Sequence, residues 1–336
     1  MHKWSIKEHN LPLKYTWKIT QGQADFKTNY VVRVESEYMF ALGEVAGVTQ
    51  AEIDKLYDIQ AIFAALQTNL DRASFPLGTL QIPTSLRFAL SSAWTALLAL
   101  QQKVTVSSFL GLADVPNAPT CYAIPILPTK EIGPFIERHN LQRFPVLKIK
   151  VGGSEAAASC HEVARHFKGP LWIDANQAFA DHNSALEFLN AIKNLPIELV
   201  EQPLPRQAFS EYRKLKNQSP FPIFADESLQ DQDIPKEWSQ FFDGVNIKMM
   251  KSGSYQQALL QIEQARDIGM KVMLGCMVET SLGISAALNL ASLADCFDLD
   301  GFLYLEKDPF DLLTEQNGNI YRKPNRGSSK RGAPFS

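Results

Sequence analysis

An α/β protein, with a closed β/α barrel behind a small α+β unit, is predicted from three observations. From Cys121 onward short apolar runs recur, each followed by a stretch with apolar residues at helical spacing. The repeat is roughly twenty to thirty residues, the length of one βα unit. The polar residues that close these runs follow a pattern: lysines, then three carboxylates, then a lysine, then two aspartates.

The α+β unit comes first. Tyr30-Val31-Val32-Arg33-Val34 is a β-branched core with polar flanks, which predicts a strand over 27–37. Residues 54–70 and 85–101 carry apolar residues at helical spacing. The runs then begin: Tyr122–Ile126, Val146–Val151, Leu171–Asp174, Glu198–Glu201, Ile223–Asp226, Gly244–Lys248, Val272–Leu274 and Phe297–Asp300. Eight such runs fit a closed barrel of about two hundred residues. An open doubly wound sheet is the rival, but no Gly-x-Gly-x-x-Gly follows a strand. After Leu305 a return segment with Asn317-Gly318-Asn319 is expected to pack against the first unit, ahead of a loose basic terminus.

Composition excludes several classes. The chain has 336 residues, 45% hydrophobic and 21% charged, with a net charge of −3. That balance belongs to ordinary globular proteins and argues against nucleic acid or an anionic membrane as partner. No stretch is long and apolar enough to span a bilayer; residues 86–100 come closest but are interrupted by Arg87 and hydroxyl residues. The start has no apolar run behind its charges, so no secretion signal is expected. Cys121, Cys160, Cys276 and Cys296 form no Cys-x-x-Cys pair. Free thiols in a reducing cytoplasm are expected. His161 and His166 fall on poorly matched helix faces and read as solvated. Asp181, Asp231 and Asp233 read as solvated loop residues.

The run ends carry the chemistry. The C-terminal ends of all strands of a barrel meet at one mouth. Asp174, Glu201 and Asp226 should therefore converge from neighbouring strands, with Lys148 and Lys150 on one side and Lys248 on the other. Three carboxylates aimed at one spot repel, and a divalent cation resolves this. Oxygen-only ligands favour magnesium over zinc. Lysines beside a metal and each other are placed for acid–base work. Residues two apart on a strand share a face, so Asp174 with Asn176, Asn246 with Lys248, and Asp298 with Asp300 should enter together.

The segments Lys148-Ile149-Lys150-Val151-Gly152, Trp172-Ile173-Asp174-Ala175-Asn176-Gln177, Val200-Glu201-Gln202-Pro203, Ala225-Asp226-Glu227-Ser228 and Asn246-Ile247-Lys248 resemble the muconate-lactonizing subgroup of the enolase superfamily. The likeness spans nearly the whole chain, since Gly43-Glu44 and the early α+β unit resemble the family's capping domain. It implies a modified (β/α)7β barrel over 116–305. The α+β capping domain would span 1–115, completed by 306–336. It also implies Mg2+ on Asp174, Glu201 and Asp226, holding a substrate carboxylate and stabilising an enediolate. Lys150 and Lys248 would then be two bases on opposite faces of the substrate. Lys148 would tune Lys150 and help neutralise the carboxylate, while Glu227, Asn176 and Asn246 would support.

Within the subgroup, Asp298-x-Asp300 at the eighth run and Gly275-Cys276-Met277 at the seventh resemble the dipeptide epimerases. That likeness implies a substrate ammonium held by Asp298 and Asp300, Cys276 lining the substrate, and inversion at the C-terminal residue of a dipeptide. An o-succinylbenzoate synthase, an N-acylamino acid racemase, or a metal- and ligand-binding barrel without catalysis are the alternatives. Two departures stand out. The segment 17–22 has Lys18 where an arginine would read an acidic side chain, and 324–329 replaces the family's Pro-Gly-Leu-Gly tail. The dipeptide, its stereochemistry and self-association are left open.

Overall fold

The computed structural model describes residues 2–19, 22–47, 59–70 and 81–324. Three antiparallel strands open the chain: β1 (Lys3–Ile19), β2 (Gly22–Glu35) and β3 (Phe40–Val45), in the order β1-β2-β3. The helices Ile59–Leu70 and Thr84–Gln102 cover one face of this sheet. Trp4, Val32, Val34 and Val45 pack there against Phe63, Leu86, Leu90 and Leu97. Glycine at position 43 lets helix and strand touch, because a Cβ there would lie 2.0 Å from the Ala89 carbonyl oxygen. Of the first predicted helix, residues 54–58 lie outside the described residues, as do the tail residues from 325 onward.

After β4 (Asn117–Pro119) come eight strands: β5 (Tyr122–Ile124), β6 (Leu147–Lys150), β7 (Leu171–Asp174), β8 (Ile197–Glu201), β9 (Ile223–Ala225), β10 (Gly244–Lys248), β11 (Lys271–Gly275) and β12 (Cys296–Asp298). All neighbours pair in parallel in sequence order, β5 through β12. Each of the eight predicted runs supplies one strand. The seam between β12 and β5 closes through Cys121 N donating to Phe297 O at 3.1 Å and Leu299 N donating to Thr120 Oγ1 at 2.9 Å. The molecule is thus an α/β barrel capped by the N-terminal sheet and its helices.

Two apolar layers hold the barrel. Strand residues that point outward, such as Ile149, Ile173, Val200, Val245 and Leu274, are buried under the helices. Inside, Cys121, Val146, Trp172, Leu199, Phe224 and Met273 fill the lower part of the barrel. This plug leaves only the upper end for polar side chains. Beyond β12, Glu306 N donates to Pro12 O at 2.9 Å, and the hairpin β13 (Leu313–Gln316) and β14 (Asn319–Arg322) pairs with β4 rather than with the β1–β3 sheet. Among the described residues no helix is long and apolar enough to cross a membrane.

Candidate active site

The register of the barrel lines up the charged strand ends. Lys150 pairs with Asp174 across β6 and β7, and Asp174 with Glu201 across β7 and β8. On the far side Lys248 pairs with Gly275, and Gly275 with Asp298. Glycine at 275 is required by its neighbour: a Cβ would come within 2.1 Å of Asn246 Oδ1. Asn246 can therefore turn inward, and its Nδ2 donates to Glu201 Oε1 at 2.9 Å.

Lysines interleave with the carboxylates. Lys148 Nζ lies 2.7 Å from both Glu201 Oε2 and Asp298 Oδ2, and 3.3 Å from Asp174 Oδ2. Lys150 Nζ donates to Asp174 Oδ2 at 2.8 Å and to Asn176 Oδ1 at 3.3 Å. Lys248 Nζ donates to Asp226 Oδ2 at 2.7 Å and stands 4.0 Å from Glu201 Oε1. Lys148 and Lys248 are buried, whereas Lys150 is partly open. Asn176 adopts a positive φ of 41° just past β7, and its Nδ2 donates to Glu227 Oε1 at 3.2 Å.

The charges shift one another as this packing demands. Burial works against the ionised form of Asp174, but Lys148 and Lys150 outweigh it and hold the carboxyl well below its usual range. Burial likewise opposes Asp226, and Lys248 and Lys251 overcome it. Glu201 behaves oppositely. Its complete burial, together with Asp226 and Asp174 alongside, pushes it up to about 8 despite Lys148. Glu227 is pushed up to about 7 by burial and by Asp226. Burial would lower Lys248, yet Asp226 and Glu201 keep it protonated well above neutrality.

These donors suit a hard cation. Glu201 Oε2, although 2.7 Å from Lys148 Nζ, makes no hydrogen bond of acceptable geometry; Glu227 Oε2 and Asn246 Oδ1 are also buried without a hydrogen bond. Buried oxygens left in this state cost stability unless something else engages them. A compact group of potential ligand atoms is Cys121, Asp298 and Asp300, within 4.8 Å of one another. It suits magnesium less well. Burial and Asp298 hold the Cys121 thiol protonated, Asp298 is already bonded to Lys148, and magnesium takes oxygen ligands.

The two aspartates of the eighth run bring their carboxylates within 4.8 Å of each other but bond different partners. Asp298 ends β12 and accepts from Lys148 Nζ at 2.7 Å and Cys121 Sγ at 3.1 Å. Asp300 lies past the strand, where the chain enters the 3-10 turn Gly301–Tyr304. Its Oδ2 accepts from Ala123 N at 2.6 Å and from the Tyr304 hydroxyl, across the barrel seam. Cys276 sits half-buried directly after β11. The Trp17 and Lys18 side chains lie outside the described residues. Of the aspartates read as solvated, Asp231 is paired with Arg87 at 2.6 Å and Asp181 caps the helix His182–Ala191.

Two features were missed in the sequence. Lys251 Nζ bonds Asp226; the signal was its place one helical turn after Lys248. The other is a contact between the N-terminal unit and the barrel. Glu44 accepts from Asn29 Nδ2, Thr280 N, Thr280 Oγ1 and Gly283 N, which caps the helix Ser281–Ala287 from another element. Glu279 lies beside it, buried.

Comparison with known proteins agrees with this architecture. The family profile described as "Enolase C-terminal domain-like" matches residues 135–320, more than half of the chain. An L-Ala-D/L-Glu epimerase of Bacteroides thetaiotaomicron is 36% identical over 177 residues, covering 53% of this chain and 46% of that protein. The chain thus aligns with about half the length of that relative. A hydrophobic dipeptide epimerase of a Flavobacteria bacterium is 32% identical over 257 residues, covering 73% of this chain and 71% of that one. The dipeptide epimerase of Enterococcus faecalis, solved with Mg and L-Leu-L-Tyr, superposes with a TM-score of 0.81 at 26% identity, covering 96% of each chain. With this profile, this coverage and this barrel, the chain belongs to the enolase superfamily, in its muconate-lactonizing and dipeptide epimerase subgroup.

Proposed function

We propose that the protein is a magnesium-dependent dipeptide epimerase, an isomerase that inverts the α-carbon of the C-terminal residue of a dipeptide. One observation carries the reading. Lys150 on β6 and Lys248 on β10 stand four strands apart in a ring of eight, on opposite sides of the mouth. Glu201 on β8 and Asp298 on β12 stand opposite each other on the axis between them. Lys148 Nζ bridges these two carboxylates at 2.7 Å from each, and a substrate lying above that bridge, with its carboxylate toward the β8 side and its amino end toward β12, would have a lysine on each face.

Asp174, Glu201 and Asp226 would hold magnesium, which when bound supplies positive charge that polarises the substrate carboxylate and relieves the crowded carboxylates. The lysines then work as a pair: one takes the α-proton, and the other delivers a proton to the opposite face. Lys148, wedged between Asp174, Glu201 and Asp298, fixes the charge balance behind them. Asp298 is the candidate partner of the substrate ammonium, with Asp300 bracing the turn behind it. Cys276 lines the substrate, and Asn176, Glu227 and Asn246 orient lysine and carboxylates. A dipeptide substrate is also supported by the names of the relatives above.

The test is incubation of the enzyme with a dipeptide library and its N-acetylated counterparts in deuterated water, with and without a chelator. Mass gain at the C-terminal residue of free dipeptides, lost on chelation, is the expected result. Faster exchange of N-acetyl amino acids than of any free dipeptide would move the protein to the acylamino acid racemases.

A further inference from the structure

Asp226 is held by two ammonium groups from one turn of chain. Lys248, the last residue of β10, donates to Oδ2 at 2.7 Å. Lys251, on the short helix Met249–Ser252 that follows directly, donates to Oδ1 at 2.5 Å and to the Asp226 backbone oxygen at 2.5 Å. Neutralising a buried carboxylate needs one cation, and Lys248 already provides it. The second ammonium adds orientation. With Oδ1 and the backbone oxygen tied to the same Nζ, the side chain and peptide of Asp226 cannot rotate independently, and Oδ2 is left with Lys248 as its partner.

The turn that carries Lys251 is itself pinned. Ser252 Oγ donates to Gln261 Oε1 at 2.7 Å, and Gly253 closes the turn at a φ of 79°. A Cβ at Gly253 would lie 2.6 Å from the Arg87 guanidinium, which is in turn paired with Asp231 at 2.6 Å. Lys251 is buried, with its ammonium bonded to both Asp226 Oδ1 and the Asp226 backbone oxygen.

We infer that Lys251 is a positioning residue for the metal site: by fixing Oδ1 it presents Oδ2 of Asp226, which the cation would take over from Lys248 and so release that lysine to serve the substrate. The inference rests on the reading of Asp226 as a metal ligand. Groups that orient metal ligands cost about 10–100-fold in metal affinity when removed.

The experiment titrates Mn2+ into the chelator-stripped full chain, reads free Mn2+ by electron paramagnetic resonance, and compares wild type with Lys251→Met and Lys251→Gln. Scanning calorimetry of the metal-free proteins runs alongside. The expected result is a 10–100-fold weaker Mn2+ affinity in both variants, with metal-free unfolding temperatures close to wild type and kcat recovering at saturating metal. Unchanged affinity in a folded variant overturns the inference. So does failure of both variants to fold, because the role is then structural. Wild type that takes up no Mn2+ overturns the metal reading itself, a distinguishable failure.

Discussion

Buried carboxylates are stabilised in two ways in this barrel, and the two sets lie in different places. Along the arc from β6 to β10, and at the end of β12, Asp174, Asp226 and Asp298 each touch an ammonium and are held in the ionised form. At the seam and at the contact with the N-terminal sheet, Asp300, Glu44 and Glu279 have no lysine or arginine among their hydrogen-bond partners in the described residues. Burial, with Asp298 alongside, raises Asp300 to about 7, and burial with Glu44 raises Glu279 to about 8. On the proposed function, the first set would exchange partners, an ammonium leaving when a metal or substrate arrives. The second set holds backbone together, with donors that have nowhere else to go. Glu201 belongs to the first set by position yet is raised like the second, which marks it as the carboxylate most in need of added positive charge.

The largest effect should come from the lysines of the arc. Removing a positioned acid or base costs about 10²–10⁴-fold. Lys248→Ala should lose epimerisation by that factor while retaining deuterium exchange into one stereoisomer, since Lys150 still reaches its own face. Mass spectrometry of each purified isomer after incubation in deuterated water reads this directly. Equal exchange of both isomers would mean the lysines do not act from opposite faces.

A smaller effect separates the two aspartates of Asp298-Leu299-Asp300. Asp298→Ala leaves Lys148 with Asp174 and Glu201 as partners, so stability should change little. Loss of a charge-assisted contact with the substrate ammonium should lower kcat/KM about ten- to hundredfold, or about 1.5–3 kcal/mol. Asp300→Ala removes the buried acceptor shared by Ala123 N and the Tyr304 hydroxyl, leaves those two groups with only each other, and should cost about 1–3 kcal/mol of stability for the two lost bonds. Denaturant melts beside steady-state kinetics would show the split. If both variants lose activity equally at unchanged stability, the two aspartates act as one substrate site.

Legibility in the sequence follows the same division. The arc could be read because β6, β7, β8 and β10 each end on a charged residue and Asp226 lies one residue past β9, so periodicity brought Lys150, Asp174, Glu201 and Lys248 to one mouth. Asp300 lies past the end of β12, yet its carboxylate comes within 4.8 Å of that of Asp298, as the spacing of two predicts; its bond to Ala123 N across the seam is what the spacing does not show. Asn176 also lies past its strand, and it reaches Lys150 through a left-handed backbone that spacing does not reveal. Lys251 was hidden by a change of element, from strand to helix, directly after Lys248. The Glu44 contact joins residues 236 positions apart, and no local pattern announces such a pair. The eight barrel strands were legible because their runs are largely apolar and buried, whereas β1 mixes polar and apolar residues and left no comparable run.

The smallest effect tests the second set through pH. Glutamate ordinarily titrates near 4.5, and Glu279 in the fold near 8. Between those values the folded chain keeps a proton that the unfolded chain releases, so raising the pH favours unfolding. The stability from this group is full below about 4.5 and is lost as pH rises through about 8, with a slope of at most about 1.4 kcal/mol per pH unit. Glu44 faces Glu279 and opposes its ionisation, while Lys248 favours it. Glu44 itself is surrounded by four donors at the start of the helix Ser281–Ala287, so of the two it is better able to keep a negative charge. Glu279→Gln keeps an acceptor for Met277 N, which bonds Oε1 at 2.9 Å, and removes the titration. Between pH 6.5 and 7.5 the wild type should lose about 1 kcal/mol more stability than the variant, read as diverging denaturant midpoints. Asp300 titrates in both proteins, so its contribution cancels in the difference. Parallel curves would show that Glu279 is already ionised in the fold, and the contact between sheet and barrel would then hold two charged carboxylates rather than one.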